Sequence, residues 1–217
     1  MTRKLDWYFD FVSPFAYLQH EGFDRLPADV QVNYRPVLLG GLLSHHEQKG
    51  PAEIPSKRVF TYRYAHWLAK HLRIPFRTPP AHPFNPLKVL RLAIAMNDDA
   101  DIVREIFRFI WRDGRLVQEP AEWQALTTQL GINDADERVE QPEVKAALRK
   151  NTEDAIANNV FGVPTFVADG NVFWGTDATG MLLDYLKDPN MFEAQDYARL
   201  SELPQAASRK PVVSTGE

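Results

Sequence analysis

A serine followed directly by a proline ends an apolar, aromatic-rich run near the start of the chain. The run from Leu5 to Val12 has the length of a buried strand, Ser13 is a favoured helix N-cap, and Pro14 suits the first helical position. Free N–H groups and the dipole at a helix start favour negative charge, so a hydroxyl delivered there can stabilise an anion such as a thiolate. Taken alone, this segment favours the simpler interpretation of a serine that only caps a helix, which we expect to continue to Pro27.

A second stretch, far along the chain, changes that balance. Residues 159–167 form an apolar run that leads into Asp169-Gly170 and then into the aromatic segment 172–175. Asp-Gly between two β-rich runs predicts a hairpin. Pro164 stands directly before the first of these strands, where a cis peptide bond after Val163 is one way to accommodate it.

Together, the S-P-x-A motif at a helix start and a distant G-V-P-T before a hairpin resemble the thioredoxin superfamily. The resemblance is closer to its DsbA-like branch, which holds the 2-hydroxychromene-2-carboxylate isomerases and the kappa-class glutathione transferases. The matching motifs occur in the family's order, between about residues 5 and 186. They are D-F-V-S-P-F-A-Y (10–17), L-G-G (39–41), P-A-E-I-P-S-K-R (51–58), N-P-L-K-V-L-R (85–91), F-G-V-P-T-F (161–166) and F-W-G-T-D (173–177).

The elements that would position these motifs predict an α/β fold. Alternating residues 30–38 predict a second strand, parallel to the first in a right-handed βαβ start. After L-G-G leaves that strand, the polar stretch 44–55 reads as a loop, and helical spacing of apolar residues then dominates. We therefore expect a thioredoxin-like, DsbA-type domain (1–43 and 156–190) with a large inserted helical domain (44–155). The remaining residues, 191–217, form a C-terminal extension with a mobile tail expected beyond Leu203.

Composition excludes several classes of function. The 217 residues carry a net charge of −4 and contain no cysteine, so the chain has no disulfide, thiolate metal site or dithiol redox chemistry of its own. The acidic balance argues against nucleic acid as the main partner. No apolar run approaches the roughly 20 residues of a membrane span, and we expect a cytoplasmic protein. His45 and His46 lack further ligands at a fixed spacing, so no metal site is predicted.

The resemblance implies a role for particular residues. Ser13 would hydrogen-bond the sulfur of glutathione and favour its thiolate, and the backbone of Val163, before a cis Pro164, would pair with the cysteinyl group as an added strand does. The γ-glutamyl end would be held by Trp174, Gly175, Thr176 and Asp177, with Asp177 facing its ammonium and a helix start its carboxylate. The second-substrate side would include Gln48, Lys57, Phe84 and Asn85.

The chain departs from the family pattern at five positions. Relatives commonly have lysine where this chain has Ser44, and glycine-asparagine where it has Glu47-Gln48. The arginine that usually follows the W-G-x-D acid is Ala178, and an acidic position in the helix before Trp67 is Arg63. The glutathione half of the site therefore follows the family more closely than the half for an aromatic carboxylate.

These residues lead us to expect a glutathione-dependent isomerase acting on an aromatic unsaturated carboxylate. The thiolate would add to an electrophilic carbon of a small molecule and later leave unchanged, with the protein orienting and stabilising it. Two alternatives stay open: a kappa-like transferase that keeps the sulfur in its product, and a non-catalytic module that binds thiols or peptides. The resemblance also implies a homodimer.

Overall fold

A four-stranded sheet is the centre of the structure, a computed structural model that describes residues 2–207. Its strands are β1 (Arg3–Phe9), β2 (Val30–Pro36), β3 (Thr165–Ala168) and β4 (Asn171–Trp174). They lie in the order β2-β1-β3-β4, with β1 and β2 parallel and β3 antiparallel to both of its neighbours. The predicted parallel βαβ start and the predicted hairpin are both confirmed.

The hairpin between β3 and β4 depends on its two turn residues. Asp169 and Gly170 both have positive φ, at 49° and 80°. A two-residue turn with this backbone twist matches the twist of the strands it joins, and aspartate and glycine are among the residues that adopt it most easily. The turn thereby pairs Ala168 with Asn171 and sets the register of the whole hairpin.

Most of the helices lie between β2 and β3 along the chain; α1 lies between β1 and β2, and α9 and α10 follow β4. Their bounds within the described residues are α1 (Pro14–His20), α2 (Leu39–His45), α3 (Pro55–Leu72), α4 (Leu87–Ala95), α5 (Ala100–Phe107), α6 (Pro120–Gln129), α7 (Ala135–Arg138), α8 (Pro142–Ala157), α9 (Thr179–Lys187) and α10 (Gln195–Ala198). A π-helical turn, Arg108–Arg112, continues α5. No helix within residues 2–207 is both long enough and apolar enough to cross a membrane.

The end of α5 and the π-helical turn pack against the loop that follows β1. Phe107 packs against Phe11 with ring centroids 4.6 Å apart, and the Trp111 indole N–H donates to the Phe11 carbonyl at 2.8 Å. The Phe107 and Trp111 side chains are both fully buried. Because the sheet and the helices share one apolar core, the loop after β1 is held rigidly from the helical side.

Two boundaries differ from the sequence-based expectation. The helix after Ser13 ends at His20 rather than at Pro27, and Gly22 separates it from a short 3₁₀ turn, Phe23–Arg25. No helix was predicted between β2 and the loop expected at 44–55, but Leu39–His45 is helical, and Leu42 of this helix is fully buried. Tertiary burial of one leucine and an acceptor for the Leu39 N–H outweigh the two glycines that argue against a helix there.

Helix α3 has an exposed aromatic face, and the C-terminal extension begins with short helical turns. Phe60 and Trp67 have 67% and 57% of their surface exposed, so the aromatic side chains of α3 lie on its outer side. Ala65 and Ala69 face the core instead. The extension forms 3₁₀ turns and a short helix up to Glu202, while residues 208–217 of the predicted mobile tail lie outside the described residues.

Candidate functional site

The strand register brings the separated motifs to one end of the sheet. Tyr8 pairs with Thr165, and Thr165 pairs in turn with Trp174. The carboxyl ends of β1 and β4 and the amino end of β3 therefore meet at the same edge. This topology places the loop with Ser13, the Val163–Pro164 bond and the segment Trp174–Asp177 around one surface.

Ser13 caps α1 and keeps a donor free. Its Oγ accepts the Ala16 N–H at 3.2 Å, and its own N–H donates to the Asp10 carbonyl at 3.0 Å. The side chain is largely buried, and its hydroxyl proton has no acceptor among residues 2–207. Capping uses an oxygen lone pair, whereas stabilising a thiolate would use the O–H, so the two roles that sequence analysis set against each other are compatible.

Asp10 opens the D-F-V-S-P-F-A-Y motif, and its carboxylate is buried, although no role was predicted for it. Its Oδ1 accepts the Val12 N–H at 3.0 Å and its Oδ2 accepts the Leu39 N–H at 2.9 Å. Burial raises the pKa of Asp10 to about 7, although both hydrogen bonds act in the opposite direction. The carboxylate joins the loop that carries Ser13 to the start of α2. An acid within an otherwise apolar run was the signal available in the sequence.

His82 holds the same loop from its other side. Its Nε2 lies 2.7 Å from the Val12 carbonyl oxygen and its Nδ1 lies 2.8 Å from the Tyr62 hydroxyl. A carbonyl can only accept, so we assign the proton to Nε2 and the acceptor role to Nδ1. Burial lowers the pKa of His82 and keeps the ring neutral, in agreement with that tautomer. Nothing in the spacing of the sequence pointed to this contact.

The segment before β3 presents unpaired backbone. The Val163–Pro164 peptide bond is cis, and the Pro164 carbonyl accepts the Gly175 N–H at 2.8 Å. The N–H and C=O groups of Val163 have no hydrogen-bond partner within the described part of the chain. Backbone groups left unpaired at a sheet end can bind an extended peptide. A second cis bond, His82–Pro83, was not predicted.

Gln19 fixes the segment after β4 against α1. Its Oε1 accepts the Trp7 indole N–H at 2.8 Å, while its Nε2 donates to the Gly175 carbonyl at 2.9 Å and to the Thr179 hydroxyl at 3.1 Å. The amide is buried and its hydrogen bonds connect three elements. No role was predicted for Gln19, because a single polar residue on a short helix belongs to no recognisable motif.

Replacing Gln19 with methionine is expected to lower the free energy of unfolding by roughly 2–4 kcal/mol. Methionine has a similar length but leaves the buried Trp7 N–H and the Gly175 carbonyl without partners, and each buried unsatisfied group costs about 1–3 kcal/mol. Urea unfolding measures the change. The exposed Gln124→Met on α6 is the matched control and should change stability by less than about 0.5 kcal/mol. Equal stabilities of the two variants would show that the Gln19 amide contributes nothing.

Asp177 does not cap the last helix. We expected α9 to begin at Asp177, but it begins at Thr179, and its N-cap residue is Ala178, with no side-chain capping bond. The Asp177 carboxylate is exposed and accepts no hydrogen bond from residues 2–207. Gly175 has a φ of +89°, and a Cβ at that position would collide with the Asp177 carboxylate. Glycine here thus lets the carboxylate fold back beside the end of β4.

The residues predicted for the second-substrate side differ in their surroundings. Phe84 is buried in the core beside Trp111. The Asn85 side chain accepts the Leu87 N–H at 3.0 Å at the start of α4. Gln48 and Lys57 are exposed to solvent. His82, two residues before Phe84, is the residue of this segment that hydrogen-bonds the loop with Ser13.

The sheet order, the serine at a helix start and the cis-proline opposite it define a thioredoxin-like protein. The family model described as DSBA-like thioredoxin domain matches residues 4–187. The chain therefore belongs to the DSBA-like thioredoxin domain family.

Individual relatives are similar over nearly their whole length. A 2-hydroxychromene-2-carboxylate isomerase from Sphingobium xenophagum is 28% identical over 197 residues, which cover 87% of this chain and 100% of the relative. Glutathione S-transferase kappa 2 from Caenorhabditis elegans is 27% identical over 210 residues, covering 86% and 93%. The solved structure of a 2-hydroxychromene-2-carboxylate isomerase superposes with a TM-score of 0.75 at 21% identity, covering 88% and 98%.

Proposed function

We propose that the chain is a glutathione-dependent isomerase acting on an aromatic unsaturated carboxylate. The observation that carries this proposal is the free Ser13 hydroxyl at the start of α1, at the same end of the sheet as the unpaired backbone of Val163. Bound glutathione would supply the nucleophilic thiolate, which the chain itself lacks because it has no cysteine. Relatives of both the isomerase and the kappa transferase class support glutathione as the cofactor.

The residues present fit glutathione as an extended peptide with charged ends. The Val163 N–H and C=O would pair with its cysteinyl backbone, and the neighbouring Ser13 O–H would donate to its sulfur. Trp174 would cover the peptide from the end of β4, since half of its side chain is exposed there. Thr176 and Asp177 would hold the γ-glutamyl end, with the Asp177 carboxylate accepting from the ammonium.

The protein's own part in the reaction is orientation and electrostatic stabilisation. The Ser13 hydroxyl would stabilise negative charge on sulfur before the attack and again after the carbon–sulfur bond breaks. Asp10 and His82 would fix Val12 from two sides and so prevent the Ser13 loop from moving as that charge appears and disappears. No side chain of this loop needs to form a covalent bond.

Measuring free glutathione during turnover distinguishes this proposal from its enzymatic alternative. An isomerase leaves the concentration of free glutathione constant while an aromatic unsaturated acid, offered as substrate, changes its absorbance. A kappa-like transferase consumes one glutathione for each product formed. A protein that binds glutathione but converts no electrophile in such a screen would instead be a binding module.

The Asp177→Asn variant tests the γ-glutamyl end of the site. It removes the charge that would face the ammonium, so we expect glutathione affinity to fall severalfold or more in calorimetric titration. Thermal stability should not change, because Asp177 makes no capping bond to α9. A glutathione analogue without the amino group should bind the variant and the wild type equally. Unchanged affinity for glutathione itself would place the ammonium elsewhere.

A further inference from the structure

A small pocket lies beside Asp177, on the side of α1 that faces α3. Its volume is about 120 Å³, and Leu18, Leu68 and Leu72 form its apolar wall. Arg25 and Asp177 also line it, so the pocket has one cationic and one anionic side chain at its rim. No role was predicted for Arg25, because this residue lies far from the W-G-T-D motif along the chain.

The backbone that carries Arg25 is anchored, although the side chain itself is exposed. It ends the 3₁₀ turn Phe23–Arg25, and Phe23 anchors that turn in the core, 4.8 Å from the Trp7 ring centroid. The Arg25 guanidinium lies over Gly22: a Cβ built on Gly22 would be 3.9 Å from the central carbon of the guanidinium. Gly22 lines the same pocket. The turn therefore directs the charge of Arg25 toward the pocket.

The two charges at the rim are not used by the protein itself. Within residues 2–207, neither Arg25 nor Asp177 forms an ion pair or a hydrogen bond through its charged group, with each other or with another residue. An anion alone would be repelled by Asp177 and a cation alone by Arg25. A group that carries both charges a short distance apart satisfies both side chains, and the free end of an α-amino acid is such a group.

One N–H group at the start of α9 is already used within the chain. The Thr179 N–H already donates to the Thr176 carbonyl at 3.3 Å. Residue 178 is alanine, so no cation follows Asp177 directly in the sequence. Arg25, which reaches the pocket from a different element, is the cation on this wall.

We propose that Arg25 binds the α-carboxylate of the γ-glutamyl group while Asp177 binds its ammonium, so that the pocket recognises a zwitterion. The inference rests on the proposed glutathione function and adds a specificity-determining residue to it. A guanidinium binds a carboxylate through two parallel hydrogen bonds, a geometry that lysine cannot reproduce fully. Exposure to solvent weakens the pair, and we expect about a fivefold contribution to affinity.

Calorimetric titration of three ligands separates the two charges. The probes are glutathione, an analogue with γ-aminobutyrate in place of γ-glutamate (no carboxylate), and an analogue with glutarate in its place (no ammonium). Arg25→Gln should bind glutathione about fivefold more weakly than wild type and bind the γ-aminobutyryl analogue equally well. Arg25→Lys should be intermediate. Arg149→Gln, which removes an exposed arginine of α8, is the charge-matched control and should behave as wild type.

Added salt provides a further readout. The difference between wild type and Arg25→Gln should shrink between low and high ionic strength, because exposed charges are screened. If wild type binds glutathione and Arg25→Gln binds it as tightly as Arg149→Gln does, the assignment of Arg25 is overturned and the proposed function is left intact. If wild type binds no glutathione, both are overturned.

Discussion

Replacing Ser13 with glycine is expected to slow turnover roughly ten- to a hundredfold while the protein stays folded. The loss corresponds to one charge-assisted hydrogen bond to the thiolate, worth on the order of 1.5–3 kcal/mol. The pKa of the glutathione thiol bound to the variant should rise for the same reason. Both quantities are measurable, by steady-state kinetics and by thiolate absorbance across a pH series.

Glycine is chosen because Ser13 also caps α1. Alanine would remove both the hydroxyl and the cap, at a cost of about 1 kcal/mol in stability, whereas glycine at an N-cap costs only a few tenths. Ser13→Thr keeps the hydroxyl and the cap and should retain most activity. If Ser13→Gly turns over as fast as wild type at every pH, Ser13 is a cap only.

Replacing Asp10 with asparagine is expected to change how stability depends on pH. Burial raises the pKa of Asp10 to about 7 in the folded chain, from an ordinary value of 3.8. Between these two values the folded chain binds more protons than the unfolded chain, so the contribution of Asp10 is greatest below pH 4 and is lost as the pH rises to about 7. The wild type should thereby lose on the order of 4 kcal/mol that the variant, which does not titrate, retains.

The difference between the two unfolding free energies, measured in urea from pH 4 to pH 8, tests this expectation. It should fall with rising pH and become constant above about pH 7. Asp24→Asn, at an exposed position that stays in water in both states, is the matched control and should give a constant difference from wild type. Parallel curves for wild type and Asp10→Asn would show that the buried carboxylate carries no ionisation cost.

Local sequence signals were sufficient to predict several elements of the fold. The Ser13-Pro14 pair marks a helix start because capping and a fixed φ act within one turn, and Asp169-Gly170 marks the hairpin because few residues adopt that backbone. The absence of cysteine excluded a dithiol mechanism without any coordinates. The order of the motifs along the chain predicted the thioredoxin-like fold, and the matching of the family model to residues 4–187 confirms it.

The residues that support the candidate site could not be predicted, because their contacts form only in the folded chain. Asp10, Gln19 and His82 act through hydrogen bonds to residues up to 160 positions away, which no local pattern records. The helix at Leu39–His45 forms against the propensity of its glycines because Leu42 is buried and Asp10 accepts its first N–H. Arg25 and Asp177 line the same pocket because the sheet register and the turn after α1 bring two distant segments together. Contacts between distant segments depend on the packing of the whole chain, and that packing is absent from any short stretch of sequence.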